Sequence, residues 1–312
     1  MLQVHNGPME FGLQQDKCLD MAYLRYKGVN LTPLSPPGLQ GRNPSDTRGK
    51  EAVRSIMIGA MFTSGFQNIH SPRVIDGTEY PMHGRMRSTP MEKVCMDASF
   101  QGERYVLQTS GEGREACLLG ENMVLRRSVT TEYGSREIHI TDVIENQSFH
   151  PEKLCFLYHC NGGYPFLQEG CRFIIPHHSV VPRNENARCR MDSRTIMPAP
   201  AEDEPDTIYI YEPAADEAGN TFAAMVNDDM QLALCVRWNV HEIPMLNQWK
   251  CPASGNYMAA LEPANEDFQS RAGEHVEVLQ PHQTHVNHIT LAIAEGEEAI
   301  SELDREKSLL EA

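Results

Sequence analysis

The sequence has no stretch of about 18 uncharged apolar residues, so no segment is suited to cross a bilayer as a helix. Its opening residues, MLQVHNGPMEFG, lack a basic region followed by an apolar run, and a cytoplasmic protein is expected. Basic residues are few: 27 Lys plus Arg stand against 43 Asp plus Glu in 312 residues, a formal net charge of −16. A nucleic-acid reader or a membrane-surface helix would need clustered cations, so neither class of partner is expected. The nine cysteines, at positions 18, 95, 117, 155, 160, 171, 189, 235 and 251, are odd in number and include no CxxC. They suit free thiols better than a disulfide framework or a zinc ribbon. With 40% apolar residues, the chain has enough to build a large core.

Amphipathic helical patterns of ten or more residues are also missing before the tail Glu295–Ala312, where Ile300, Leu303, Leu309 and Leu310 fall at helical spacing among charges. Step-two periodicity takes their place. Cys18–Tyr26, Tyr105–Thr109, Met123–Thr131, Glu137–Val143, Leu154–His159, Thr207–Tyr211, Thr221–Val226, Gln231–Trp238, Tyr257–Glu262 and His288–Ala294 read as strands rich in β-branched and aromatic residues. The twenty prolines and 22 glycines suit the turns between them. The expected fold is all-β: one large antiparallel β-sandwich over residues 1–295, with a short charged helical tail over 296–312. Gly38–Lys50 and Met197–Asp206 read as long loops, of the kind that often lie over a binding face.

Thirteen histidines invite a search for a metal site. His275, His282, His285 and His288 cluster in sequence, and His177–His178 are adjacent, but His285 and His288 would point to opposite faces of a strand, so no metal is expected and solvent-facing histidines in a final strand are expected instead. Three other residues are better placed. His83 and His159 each sit at or just beyond the end of an apolar run and beside a glycine turn or loop, and Glu262 ends the run Tyr257–Leu261 just before Pro263. The proline should stop that strand and present the carboxylate at a sheet rim.

Seven segments in order carry a family resemblance: LSPPG (34–38), GAMFTSGFQN (59–68), HGR (83–85), IEN (144–146), YHCNGGYP (158–165), QWK (248–250) and LEP (261–263). Together they resemble the galactose mutarotase-like (aldose 1-epimerase) superfamily, most closely its domain-of-unknown-function branch, from about Phe11 to Ala294. The resemblance implies a cofactor-free enzyme that interconverts the α and β anomers of a monosaccharide. One group removes the proton of the anomeric hydroxyl, another protonates the ring oxygen, and the open aldehyde recloses on its other face. A carboxylate and an imidazole suit the two tasks, each worth ~10²–10⁴-fold.

Carried over by motif, Glu262 would be the base and His159 the acid. His83, Arg85 and Asn161 would hold sugar oxygens, and Gln248 and Lys250 would line the opposite wall. Trp249 would offer a stacking face, although only one of Gln248 and Trp249 can face the pocket on an alternating strand. Two positions depart from the galactose mutarotase pattern: Cys160 and Asn161 follow the histidine, and Phe66-Gln67-Asn68 replaces an Asn-Arg pair. Arg87, in His83-Gly84-Arg85-Met86-Arg87, matches the spacing of hexose-6-phosphate epimerase relatives, so a sugar phosphate or an acidic sugar is an alternative ligand, and Arg85, Arg87 and Lys250 are expected to gather in one cleft. A non-catalytic sugar-binding protein, as monomer or homodimer, and a glycoside hydrolase using Asp228 or Asp229 as second carboxylate complete the alternatives.

Overall fold

The computed structural model describes residues 1–39, 41, 48–274 and 276–312; His275 and most of the first predicted loop, residues 40 and 42–47, lie outside them. Two large antiparallel sheets pack face to face. The first runs in the order Leu2–His5, Met9–Gln14, Asp20–Tyr26, Met61–Phe66, Glu152–Gly163, Met258–Ala264, Met245–Cys251, Thr207–Pro213 and His177–Pro182, with two short strands attached. The second runs Arg172–Ile174, Asn220–Asn227, Leu232–Asn239, Thr284–Glu295, Glu137–Asn146, Asn122–Glu132, Arg104–Ala116 and Met91–Gln101. The tail forms a helix, Glu297–Leu310, that buries Ile300 and Leu303 against Phe222, Ala224 and Cys235 of the second sheet.

The sequence pattern accounts for the layering. Along Glu137–Asn146 every second residue is buried: Ile138, Ile140, Asp142, Ile144 and Asn146. That period-two burial is what a sheet with one covered face requires. The central strands of the first sheet break the pattern, since all of Leu154–Gly163 and all of Met258–Ala264 are buried. They are covered on both faces, by the second sheet inside and by loops outside. The outer covering encloses the cavity described below.

Among the alternating apolar residues lies a buried ionic group. Arg127, with a fully buried side chain, uses all five of its N–H donors: Nε and Nη2 donate to Asp142, Nη1 to Asp20 and to the Cys18 carbonyl, and Nη2 also to Thr63 Oγ1, at 2.6–2.9 Å. Tyr158 Oη donates to Asp142 at 2.7 Å and Asn287 Nδ2 donates to Tyr158 Oη at 3.0 Å. The group therefore ties both sheets together directly beneath Thr63 and Tyr158. Charges removed from water this completely are tolerated only when every donor and acceptor is engaged.

Two expectations are corrected here. Pro263 does not end its strand, which continues to Ala264. Regular pairing with Glu152–Gly163 is absent between Leu157↔Ala264 and Cys160↔Leu261, so the missing N–H of Pro263 removes no ladder bond on that side. Glu262 consequently sits in the middle of a sheet rather than at its rim. His285, expected to face solvent, is half-buried and bonded to Glu277 and Asn287.

Glu115 offers a stability prediction. It is buried, one oxygen accepts from the Phe66 N–H at 2.9 Å, the other has no partner among the described residues, and burial pushes its carboxyl from an ordinary 4.5 up to about 7. A folded-state pKa above the unfolded one means that its stabilising proton is fully present below pH 4.5 and lost as pH rises through about 7. Glu115→Gln removes the titration. Relative to the variant, the wild-type protein is expected to lose about 2–3 kcal/mol between pH 5 and pH 8.5. Urea denaturation at the two pH values measures this, and parallel pH dependences would contradict it.

Candidate functional site

A cavity of about 680 Å³ opens on the outer face of the first sheet, a size suited to a small-molecule ligand. Its floor follows from strand alternation. Tyr158 points inward to the ionic group, so His159 points outward; Thr63 points inward, so Phe62 and Ser64 point outward. Glu262 and Trp249, on the next two strands, face the same way. His83 arrives from a loop. It has φ 57°, and the glycine after it passes so close to the sheet that a Cβ on Gly84 would lie 2.2 Å from the Gly65 carbonyl oxygen. The His-Gly pair in HGR is thus a steric requirement of the turn that delivers the imidazole.

His159 Nε2 lies 3.0 Å from Glu262 Oε1, with both side chains almost fully buried. The proton positions can be worked out from the neighbours. Asn161 Nδ2 donates to the His159 carbonyl at 2.8 Å, which leaves Asn161 Oδ1 as acceptor for His159 Nδ1–H at 2.6 Å. With Nδ1 carrying a proton, Nε2 is the nitrogen that faces the Glu262 carboxyl. The arrangement sets a carboxyl and an imidazole in contact on the cavity floor. Phe62 stacks on His159 at 4.4 Å and Trp249 meets it edge-on at 5.5 Å, so the imidazole is fixed between two aromatic rings.

His83 stands 6.0 Å from His159, its Nδ1 hydrogen-bonded to Ser64 Oγ at 2.8 Å. Burial, reinforced by His159 and Arg87, holds its pKa well below the usual histidine value, so at neutral pH it is an uncharged hydrogen-bonding group. His70 follows at 6.0 Å and is likewise kept neutral, first by burial and then by His83.

His83, His159, Glu262 and Trp249 therefore share one cavity. The other candidates named from sequence do not line it. Asn161 sits behind His159. Gln248 faces the sandwich interior, accepting from Tyr211 Oη and donating to the Arg194 carbonyl. Lys250 does the same, donating to the Ser193 and Ile196 carbonyls, and burial with Arg190 nearby lowers it to about 8. Arg85 bonds Gln67 and the Glu79 carbonyl, while Arg87 is buried against Ser55 and the Met82 carbonyl. The expected gathering of Arg85, Arg87 and Lys250 in one cleft is not found. Strand alternation accounts for Gln248 and Lys250, and the short helical turn Met86–Ser88 carries Arg87 away from the cavity. Asp228 pairs with Arg172 and stands, with Asp229, outside the cavity.

Sequence reading missed several wall residues: Ile56, Ile58, Phe62, Met258 and Phe268 on the apolar side, and Arg183 and Asp206 on the polar side. Asn247 was missed too. It lies directly across from Glu262, buried, with neither amide atom hydrogen-bonded among the described residues. A buried polar residue in the unpatterned strand MLNQWKC was the available signal.

Residues 1–293 match the family described as Domain of unknown function (DUF4432). No curated protein matches the chain. Among solved structures, a "putative aldose 1-epimerase" from Klebsiella pneumoniae superposes with a TM-score of 0.93 at 20% identity, covering 99% of this chain and 83% of that one. A galactose 1-epimerase from Lactobacillus acidophilus gives 0.61 at 11% identity, covering 94% and 93%. A galactose mutarotase-like protein from Clostridium acetobutylicum gives 0.63 at 13%, covering 94% of each chain. The chain belongs to the DUF4432 family and has the galactose mutarotase-like fold.

Proposed function

We propose that this protein is an aldose 1-epimerase, with Glu262 as the base that takes the anomeric hydroxyl proton and His159 as the acid that protonates the ring oxygen. The observation that carries the reading is the 3.0 Å contact between His159 Nε2 and Glu262 Oε1 on the cavity floor. The anomeric hydroxyl and the ring oxygen are attached to the same carbon. An acid and a base that touch each other can therefore address both oxygens of one sugar, and the proton given to the ring oxygen on opening returns when the ring closes on the other face. On closure Glu262 returns its proton to the carbonyl oxygen as His159 regains its own, so the pair is reset and no cofactor is required. Each partner contributes ~10²–10⁴-fold.

Trp249 and Phe62 supply apolar surface for the C–H face of the ring, and neutral His83 supplies a hydrogen bond. The likeness to proteins named as epimerases supports this reading through the fold, and the paired carboxyl and imidazole support it through chemistry. Polarimetry starting from a pure anomer tests it: the protein should bring at least one aldose to anomeric equilibrium faster than buffer does. Sugars that bind with no acceleration would instead favour a binding protein.

Asn161 acts on this chemistry without touching substrate, by fixing the His159 tautomer. Asn161→Ala is expected to lower kcat by ~10–100-fold, less than the ~10²–10⁴-fold assigned to the acid itself, with KM changed little. A KM effect alone would contradict this positioning role.

A further inference from the structure

The chain carries 16 more acidic than basic residues, so an arginine without an acidic partner is unexpected. One such arginine, Arg183, stands at one end of the cavity. Arg183 lines it, and its guanidinium makes no ion pair or hydrogen bond among the described residues; it lies 3.6 Å from the centre of the Phe268 ring. Burial lowers the Arg183 pKa and Arg73 adds to this, while Asp206 and Asp267 oppose it. His70 stacks on the same Phe268 ring at 3.8 Å, is almost fully buried, and has an Nε2 without a partner among the described residues.

Two nitrogen-bearing groups with unused hydrogen-bonding capacity, Arg183 and His70, thus meet on the Phe268 ring in the cavity wall, with no carboxylate within ion-pair distance of Arg183 among the described residues. A partly buried cation without a counter-charge is costly, and an anion there relieves that cost. A planar guanidinium suits the paired oxygens of a phosphate or carboxylate. The end also lies at the right side of the cavity for a second contact on one ligand. Rings lead from His159 through His83 and His70 to Phe268 in steps of 6.0, 6.0 and 3.8 Å. Arg183 follows the outermost strand, three strands from Glu262, roughly 14 Å at ordinary strand spacing before its own long side chain reaches back.

We infer that Arg183, with His70, forms an anion subsite, and that the substrate is an aldose carrying a phosphate or a carboxylate at the end away from its anomeric carbon. This rests on the reading that the anomeric carbon sits at Glu262 and His159. Asp206, on the same wall, is engaged by Trp249 Nε1 at 2.7 Å and makes no ion pair with Arg183.

The test compares anomer-exchange rates for glucose and galactose with their 6-phosphates and with glucuronate and galacturonate, for wild type and Arg183→Met. The wild-type protein should show a kcat/KM at least tenfold higher for one anionic class than for the neutral sugars, and the two anionic arms tell phosphate from carboxylate. Arg183→Met should reduce that ratio by tenfold or more, mainly through KM, with Arg183→Lys between. A ratio near one in the wild type, or one that Arg183→Met leaves intact, overturns the subsite while the epimerase reading stands. Calorimetric binding of the same sugars to Glu262→Gln, with and without Arg183→Met, separates the two claims if no sugar is turned over. Loss of anionic-sugar affinity on Arg183→Met would then uphold the subsite and discard the epimerase, and equal affinities would discard the subsite.

Discussion

Glu262→Gln is expected to reduce catalysed anomer exchange by at least ~10³-fold and to leave the protein folded. Glutamine has the shape of the protonated acid and can still face His159 Nε2, so the central strand keeps its packing. What it loses is the ability to accept a proton from the anomeric hydroxyl. Without the base the acid has no step to assist, because the ring opens only as the anomeric hydroxyl loses its proton, and the two contributions disappear together. Initial rates measured beside a thermal melt separate this from unfolding. A folded variant with wild-type rates would exclude Glu262 as the base.

Arg127→Met is expected to destabilise the fold by about 3–5 kcal/mol, the usual cost of breaking a buried pair by removing one partner. The substitution leaves Asp20 and Asp142 buried without their cation, and burial already raises Asp20 above its usual range despite the arginine. Thr63 loses a donor at the same time and Tyr158 is left on an Asp142 without its cation; each adjoins a cavity residue, Phe62 and His159 respectively. Urea denaturation measures the loss. A cost below about 1 kcal/mol would show that the ionic group is not what ties the two sheets together at this point.

How much of this was visible in the sequence depended on which faces of a strand are covered. Glu137–Asn146 and Asn122–Glu132 alternate because one face is solvated, and both were legible. Met91–Gln101 is an edge strand exposed on both faces for most of its length, so selection for burial left no alternation in it. Met245–Cys251 was missed for the opposite reason: it buries Asn247, Gln248 and Lys250, and reads as polar although it lies inside a sheet. The motifs located the cavity floor, where His159 and Glu262 lie on adjacent strands and strand geometry brings them into contact. They did not locate Arg183, His70 or Phe268, which approach from strand ends and loops at separations no periodicity encodes. Arg85 and Arg87 misled for the same reason, since a one-turn helix set their directions.

Two-dimensional exchange NMR on the anomeric protons, with wild type and Glu262→Gln at equal concentration, tests the central claim most directly, because it observes the interconversion itself at equilibrium. For a sugar shown to bind both proteins, wild type should give cross-peaks between the α and β resonances that grow with protein concentration, and Glu262→Gln should give none above buffer. Cross-peaks of equal intensity with both proteins, or with neither, would contradict an epimerase built on Glu262 and His159.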